Sequence, residues 1–312
     1  MTNSSSNENT CSVCSSTQTN AYVQTNAMMH RQNTEIYNFN YCQSCQSVFL
    51  GNPVSSDSLS AYYTEHYLPY KGSAAWGKFS NFVEWDDAKL NEKRKKVVLP
   101  YLPKQTSVRV LDVGCGKPDF LAHLSKDPSI SCTGVDFVSA DWENPKYTNL
   151  TLNACDWKTV QFDEKFHLIS AWHYLEHDYD LKTTVARFHD LLEPNGYVII
   201  EVPMYEGVLQ KLQKKHWQGW HSPRHITLFS RISWTVLFPK DKWKMVRHQS
   251  YGTLSAFTLW WLGHRQKQRT NWSESMEPYF WSLVAWKIIL APIFLLEKLI
   301  PFGIQTVVLQ KR

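Results

Sequence analysis

Cys11-Ser-Val-Cys14 and Cys42-Gln-Ser-Cys45 form two C-x-x-C knuckles with 27 residues between them. Four thiolates from two such turns make the tetrahedral sulfur set that zinc prefers, and a closed set leaves no position for water, so the expected site is structural. Disulfides or a redox pair are the alternative, but no leader pattern opens the chain, and a cytoplasmic thiol stays reduced. A second constellation begins at Asp112, followed by Gly114-Cys115-Gly116, with Gly134-Val135-Asp136 about twenty residues on. Glycines there let backbone approach a ligand, and a carboxylate closing the next strand can take both hydroxyls of a ribose, so a nucleoside-containing cofactor is expected. The run lacks the third glycine of a dinucleotide fingerprint, and Asp112 suits a ligand amino group better than phosphates. A bare strand-to-helix turn is the alternative. His173, His177, His221 and His225 form the third set, since imidazole titrates near neutral pH and can accept a proton from a reacting group.

These residues need elements to hold them. Ser107–Val113 reads as a buried strand, Phe120–Lys126 as a helix and Ser131–Phe137 as a second strand. A short third strand starts near Leu150 and closes at Asp156-Trp157. Phe166–Trp172 is the fourth strand, Leu181–Leu192 a helix stopped by Glu193-Pro194-Asn195-Gly196, and Tyr197–Val202 the fifth strand. This alternation is that of an α/β doubly wound sheet, where ligands lie at the carboxyl ends of the strands. Asp112, Asp136 with Phe137 after it, Asp156 and Trp172 all fall there.

The glycine block resembles motif I of the class I S-adenosylmethionine methyltransferases, (D/E)-x-G-x-G-x-G, with Pro118 in place of the third glycine. Proline costs little where a helix begins. FHLISAWHYLEHDYD (166–180) is similar to the family's F-D…L-E-H-x-x-D stretch, and LLEPNGYVIIEV (191–202) to its strand after the fourth helix. The resemblance implies a Rossmann-like methyltransferase sheet that binds S-adenosylmethionine through Asp112, Gly114, Cys115, Gly116, Asp136, Phe137 and Trp172. It places Asp156 on the adenine amino group and Trp157 on the purine face. Pro223-Arg-His225, then Phe229-Ser230, resembles the P-R-H-L-x-x-F-S element whose histidine lies over the cofactor pocket, which puts His225 first among the candidate bases and His173 second. The knuckles, with the aromatic residues after them, resemble the zinc ribbon preceding some bacterial methyltransferase domains, including deoxysugar C-methyltransferases. Of their Y-H-E-H element only His225 is matched.

The remaining composition sets the surroundings. Residues 1–10 are nearly all polar and read as a disordered tail, 11–70 as the zinc-ribbon module, 71–106 as a linker helix, 107–255 as the cofactor-binding domain and 256–312 as an apolar helical appendage. A net charge of +5 is mild, and the runs Lys93-Arg94-Lys95-Lys96 and Lys211–Lys215 read as solvated helix faces, so nucleic acid is not the expected partner. The ring-rich run His216–His225 reads as an active-site lid. Nine of 14 tryptophans lie beyond residue 200, and Tyr279–Leu296 holds eighteen residues with Lys287 as its one charge. Pro292 and Lys287 speak against a spanning helix, while edge aromatics and nearby cations suit a bilayer interface; burial against protein is the other reading. The expectation is a cytoplasmic S-adenosylmethionine-dependent methyltransferase, peripheral at the inner membrane face through 256–312. It would favour O-methylation of a small-molecule, lipid-like or lipid-linked saccharide acceptor. An RNA methyltransferase with a zinc knuckle and a non-catalytic cofactor-binding protein are the alternatives; Glu201-Val-Pro-Met lacks the N-P-P-Y motif of amino-group methylation.

Overall fold

The computed structural model describes residues 9–30, 35–63, 67–139 and 141–312. The expected tail lies almost wholly outside them. Two sheets organise the described chain. The smaller begins with β1 (Thr19–Asn26), β2 (Ile36–Cys42) and β3 (Val48–Leu50), an antiparallel meander that carries the second knuckle at its β2–β3 turn.

The larger sheet contains β4 (Val108–Val113), β5 (Ile130–Asp136), β6 (Thr151–Ala154), β7 (Phe166–Trp172) and β8 (Leu192–Pro203), paired in parallel in the order β6-β5-β4-β7-β8. The centres of β4, β7 and β8 are near-continuous apolar runs, as expected of parallel strands buried on both faces. Val110, Leu168 and Ile199 are fully buried, each contributing about 1.5–3 kcal/mol relative to exposure. The Glu193-Pro194-Asn195-Gly196 turn is absorbed into the start of β8. There Asn195 takes a φ of 62° and the β7–β8 register slips between Phe166 and Leu168, so the bend is made inside the strand.

The sheet does not end with β8. β9 (Thr227–Leu228) crosses to pair with β3, making the small sheet four-stranded, and β10 (Trp243–Gln249) and β11 (Ile304–Lys311) complete the large one. β11 lies between β8 and β10, antiparallel to both. The apolar tail is therefore no separate appendage: its last eight strand residues are structural centre, with Val307 and Val308 at 0 % exposure. The helices Ala256–Lys267 and Phe280–Phe294 are an insertion between two strands of one hairpin.

The ribbon is likewise joined to the body. Cys11, Cys42 and Cys45 share one buried cluster with Leu111, Ile169 and Ile200. Ser12 bonds Thr227 at 2.7 Å, the Ser230 hydroxyl donates to the Cys45 carbonyl at 3.0 Å, and Tyr205 donates to the Gln46 carbonyl at 2.6 Å. Arg224, almost fully buried, clamps the two parts by donating to the Met28 carbonyl at 2.8 Å and the Tyr62 carbonyl at 2.9 Å, with its guanidinium 4.2 Å above the Tyr67 ring.

Candidate functional site

Strand ends β4, β5 and β7 converge on the glycine loop. Gly114 and Gly116 have φ of +72° and +49°, values that favour glycine. A Cβ at Gly114 would stand 2.6 Å from the Tyr174 ring, whereas at Gly116 it would meet nothing within 4 Å. Gly114 is thus required by packing, and Gly116 borders open space that a ligand could fill. The Asp136 carboxylate accepts from the Gly116 N–H at 2.8 Å and the Val138 N–H at 3.2 Å, which leaves further lone pairs for ligand hydroxyls. Trp142 fixes the loop from outside by donating to the Gly116 carbonyl at 2.8 Å. Pro118 sits just before the helix Asp119–Leu124 and its carbonyl accepts the Ala122 N–H at 2.9 Å, so it begins the helix without strain.

Asp112 is buried beside this loop and accepts from the Ser170 hydroxyl at 2.6 Å. Burial outweighs that bond and the Arg94 charge and pushes its carboxyl up to about 7. A buried carboxyl of that kind suits the amino group of a ligand. Phe137 is 67 % exposed at the end of β5, free to cover a flat ring, and Asp156 is exposed after β6. Cys115 is buried in the core, where its thiol is pushed up by desolvation. Trp172 ends β7 with its Nε1 buried and unpartnered among the described residues. Trp157 stands elsewhere: it stacks on Phe188 at 5.3 Å and donates to the Tyr174 hydroxyl at 2.7 Å, so its ring is committed to the core instead of a purine.

Two contributors were hidden in the sequence. Tyr174 packs on Gly114, and Arg94, in a charge run that reads as solvated, places its guanidinium 5.0 Å above the Trp172 ring on the helix Ser80–Val98. Its charge acts on Glu201 and Asp112, so it lies over the site.

The histidines gather on the other side of Trp172. His173 leaves β7 with a φ of 55°, and its ring contacts Glu176 and Glu201 at 3.3 Å each. Burial alone would favour the neutral ring; the two carboxylates outweigh it and raise His173 to about 9, so it is cationic at neutral pH. Burial likewise opposes ionisation of Glu201, yet His173, Arg94 and the Thr253 N–H at 2.6 Å hold it down to about 2. His225 and His221 are buried and pushed well below the usual histidine range by desolvation, then by neighbouring cations and rings; His177 is lowered for the same first reason. The His177 and His225 rings lie 4.6 Å apart, and those of His221 and His225 5.0 Å. The ring-rich run 216–225 is a packed wall, not a lid: Trp217 and Trp220 are fully buried and meet edge to face.

At the knuckles, Cys11 and Cys45 sulfurs are 3.5 Å apart, as are those of Cys14 and Cys42. Zinc–sulfur bonds of about 2.3 Å in a tetrahedron put sulfurs about 3.8 Å apart, so the four fit structural zinc with a small expansion. None of the four is in a disulfide, and the hydrogen bond from Cys45 pulls Cys11 well below the ordinary thiol range.

No helix among the described residues is long and apolar enough to cross a membrane. The inner face of the inserted helices packs on protein, where Trp261, Met276 and Phe280 join Tyr67 and Trp76. Their outer side leaves Trp281 69 % and Ile288 69 % exposed, and just past the second helix Leu295 and Leu299 are 81 % and 80 % exposed.

Several known proteins are similar to parts of this chain. The demethylmenaquinone methyltransferase of Chlorobaculum parvum is 30 % identical over 124 residues, covering 38 % of this chain and 49 % of that protein. The glycine/sarcosine N-methyltransferase of Halorhodospira halochloris is 24 % identical over 171 residues, 49 % of this chain and 61 % of that protein. The chain thus spans about half the length of the curated relatives it matches. Among solved structures, a mycolic acid cyclopropane synthase complexed with SAH and CTAB aligns with a TM-score of 0.48 and 17 % identity over 70 % of this chain and 83 % of that one. The methyltransferase domain family matches residues 82–248, from inside the helix that carries Arg94 through β10. With its glycine loop, Asp136 and the sheet order completed by an antiparallel β11, the chain belongs to the S-adenosylmethionine-dependent methyltransferase domain family.

Proposed function

We propose that the protein transfers the methyl group of S-adenosylmethionine to an oxygen of a lipid-like, quinone-like or lipid-linked acceptor presented at a membrane surface. The observation that carries this reading is adjacency: the glycine loop and Asp136 stand at the ends of β4 and β5, and the histidine–glutamate cluster stands at the ends of the neighbouring β7 and β8. Bound cofactor supplies an electrophilic methyl on sulfur, and the protein must align the acceptor in line with it and accept a proton. Asp136 takes the ribose hydroxyls, Asp112 the amino group, and Phe137 and Asp156 the adenine side. His225 keeps Nδ1 against the Gly219 carbonyl at 2.7 Å, which fixes that nitrogen as the N–H and leaves Nε2 as acceptor. His173, already cationic, has both ring nitrogens committed to Glu176 and Glu201, so it orders the cluster instead of serving as base.

The relative named for demethylmenaquinone supports a quinone-like acceptor, and the exposed Trp281, Ile288 and Leu295 support delivery from a bilayer interface. The test is product analysis after incubation with radiolabelled S-adenosylmethionine and a membrane lipid extract. Label should enter the lipid fraction and fall at least about 100-fold with His225→Ala. Label found only in water-soluble acceptors, or an unimpaired variant, would refute the reading.

A further inference from the structure

Apart from the four cysteines, one other group of side chains among the described residues gathers like metal ligands. One candidate atom each from Glu176, His177 and His225 lies within 4.8 Å of the others, in a buried setting. The details favour a ligand set over a chance cluster. His225 turns Nδ1 to the Gly219 carbonyl at 2.7 Å, and His177 turns Nδ1 to the Arg224 carbonyl at 3.1 Å. A carbonyl accepts from an N–H, so the His225 proton sits on Nδ1 and its lone pair on Nε2, while His177 Nδ1 also meets the Tyr63 hydroxyl at 3.0 Å. For His225 that is the arrangement in which a backbone carbonyl orients a metal-binding imidazole. His225 Nε2 faces Glu176 Oε1 at 4.0 Å, and Glu176 Oε2 is buried with no partner among the described residues. A carboxylate oxygen left unpaired in the interior is costly unless something else meets it. The two ligand-bearing segments are also tied: Ile226 donates its N–H to the Glu176 carbonyl at 2.6 Å.

We propose that Glu176, His177 and His225 bind a divalent transition-metal ion, independent of the four-cysteine site. Two imidazoles and one carboxylate are the donor set of zinc, manganese, iron and cobalt centres that keep open positions. Ligand atoms around one ion at about 2.1 Å lie about 3–3.5 Å apart, so the longest of these separations must contract by up to about 1.3–1.8 Å. Its role rests on the methyl-transfer reading: the open positions would hold the acceptor oxygen and ease loss of its proton, with His225 acting through the ion.

The measurement is binding by full-length, zinc-loaded protein, with manganese chloride alone as the probe, followed by electron paramagnetic resonance. Manganese prefers nitrogen and oxygen donors and does not compete for four thiolates. One manganese per chain should bind, and Glu176→Gln and His225→Gln should each weaken it at least about tenfold. Because either variant could misfold, the unmodified protein is also observed by imidazole nitrogen resonance. One equivalent of manganese should broaden His177 and His225 before the distant His123 and His189. No stoichiometric binding, or broadening spread evenly over all histidines, overturns the site. S-adenosylhomocysteine titration is run in parallel: cofactor binding without manganese binding refutes the metal alone, and manganese binding without methyl transfer to any lipid refutes only the methyl-transfer reading.

Discussion

Asp112 should make cofactor affinity depend on pH, with a calculable size. In the free protein burial holds this carboxyl at about 7, so at pH 6 about nine-tenths of the molecules carry it neutral. A ligand ammonium beside it requires the carboxylate. Binding should then return the group to about 4, its ordinary value, and release a proton. The ratio of the two titrations predicts that S-adenosylhomocysteine binds about eightfold more weakly at pH 6 than at pH 7.5, with about 0.9 proton released at the lower pH. Stability moves in the opposite direction. A carboxyl whose folded value lies above its unfolded value favours the protonated fold, so its contribution is present below about pH 4 and is lost as pH rises through 7. The loss is of order 4 kcal/mol. Calorimetry at both pH values, in two buffers of different ionisation heat, measures the affinity and the proton count together. Asp112→Asn should flatten both profiles. A wild-type affinity that does not change with pH, or a slope that persists in the variant, would refute the placement of the amino group at Asp112.

Three further outcomes are expected. Gly114→Ala should lower the melting temperature even without cofactor, because a Cβ there strikes Tyr174 at 2.6 Å, whereas Gly116→Ala should spare the fold relative to it and cost affinity at least about tenfold; equal melting losses would sink the distinction. Chelation should release about one zinc per chain and destabilise the large sheet as well as the small one, since the cysteines share its core; a body that keeps its melting temperature while the ribbon unfolds would contradict this. Trp281→Ser with Leu295→Ser should abolish sedimentation with anionic phospholipid vesicles while leaving S-adenosylhomocysteine affinity unchanged, and vesicle binding that survives both changes would exclude this face.

The sequence made visible what is local. β4, β7 and β8 carry contiguous, largely apolar runs, and the knuckles and the glycine loop are fixed by neighbours a few residues apart. What it concealed depends on distant partners. Ile304–Lys311 reads as the end of an apolar tail because nothing in those residues says that β8 and β10 lie on either side. Arg94 sits in a run of four cations, and only the docking of its helix over Trp172 separates it from its solvated neighbours. Trp157 follows Asp156 as a ring-stacking residue would, yet Phe188, thirty-one residues on, claims its face. The histidines were visible as types; that His173 differs in charge from the others follows from Glu201, a residue of the next strand.

The hairpin that frames the inserted helices carries a consequence for how the molecule could be taken apart. Gln249 pairs directly with Thr306, so the chain leaves the sheet and returns to it one strand spacing away. An excursion with its two ends already adjacent can vary in length at a loop-closure cost that changes only slowly. The segment bearing the exposed apolar face is thus a cassette plugged into a finished sheet. Lipid contact could be gained, lost or exchanged at that socket while the strands that frame the glycine loop stay as they are.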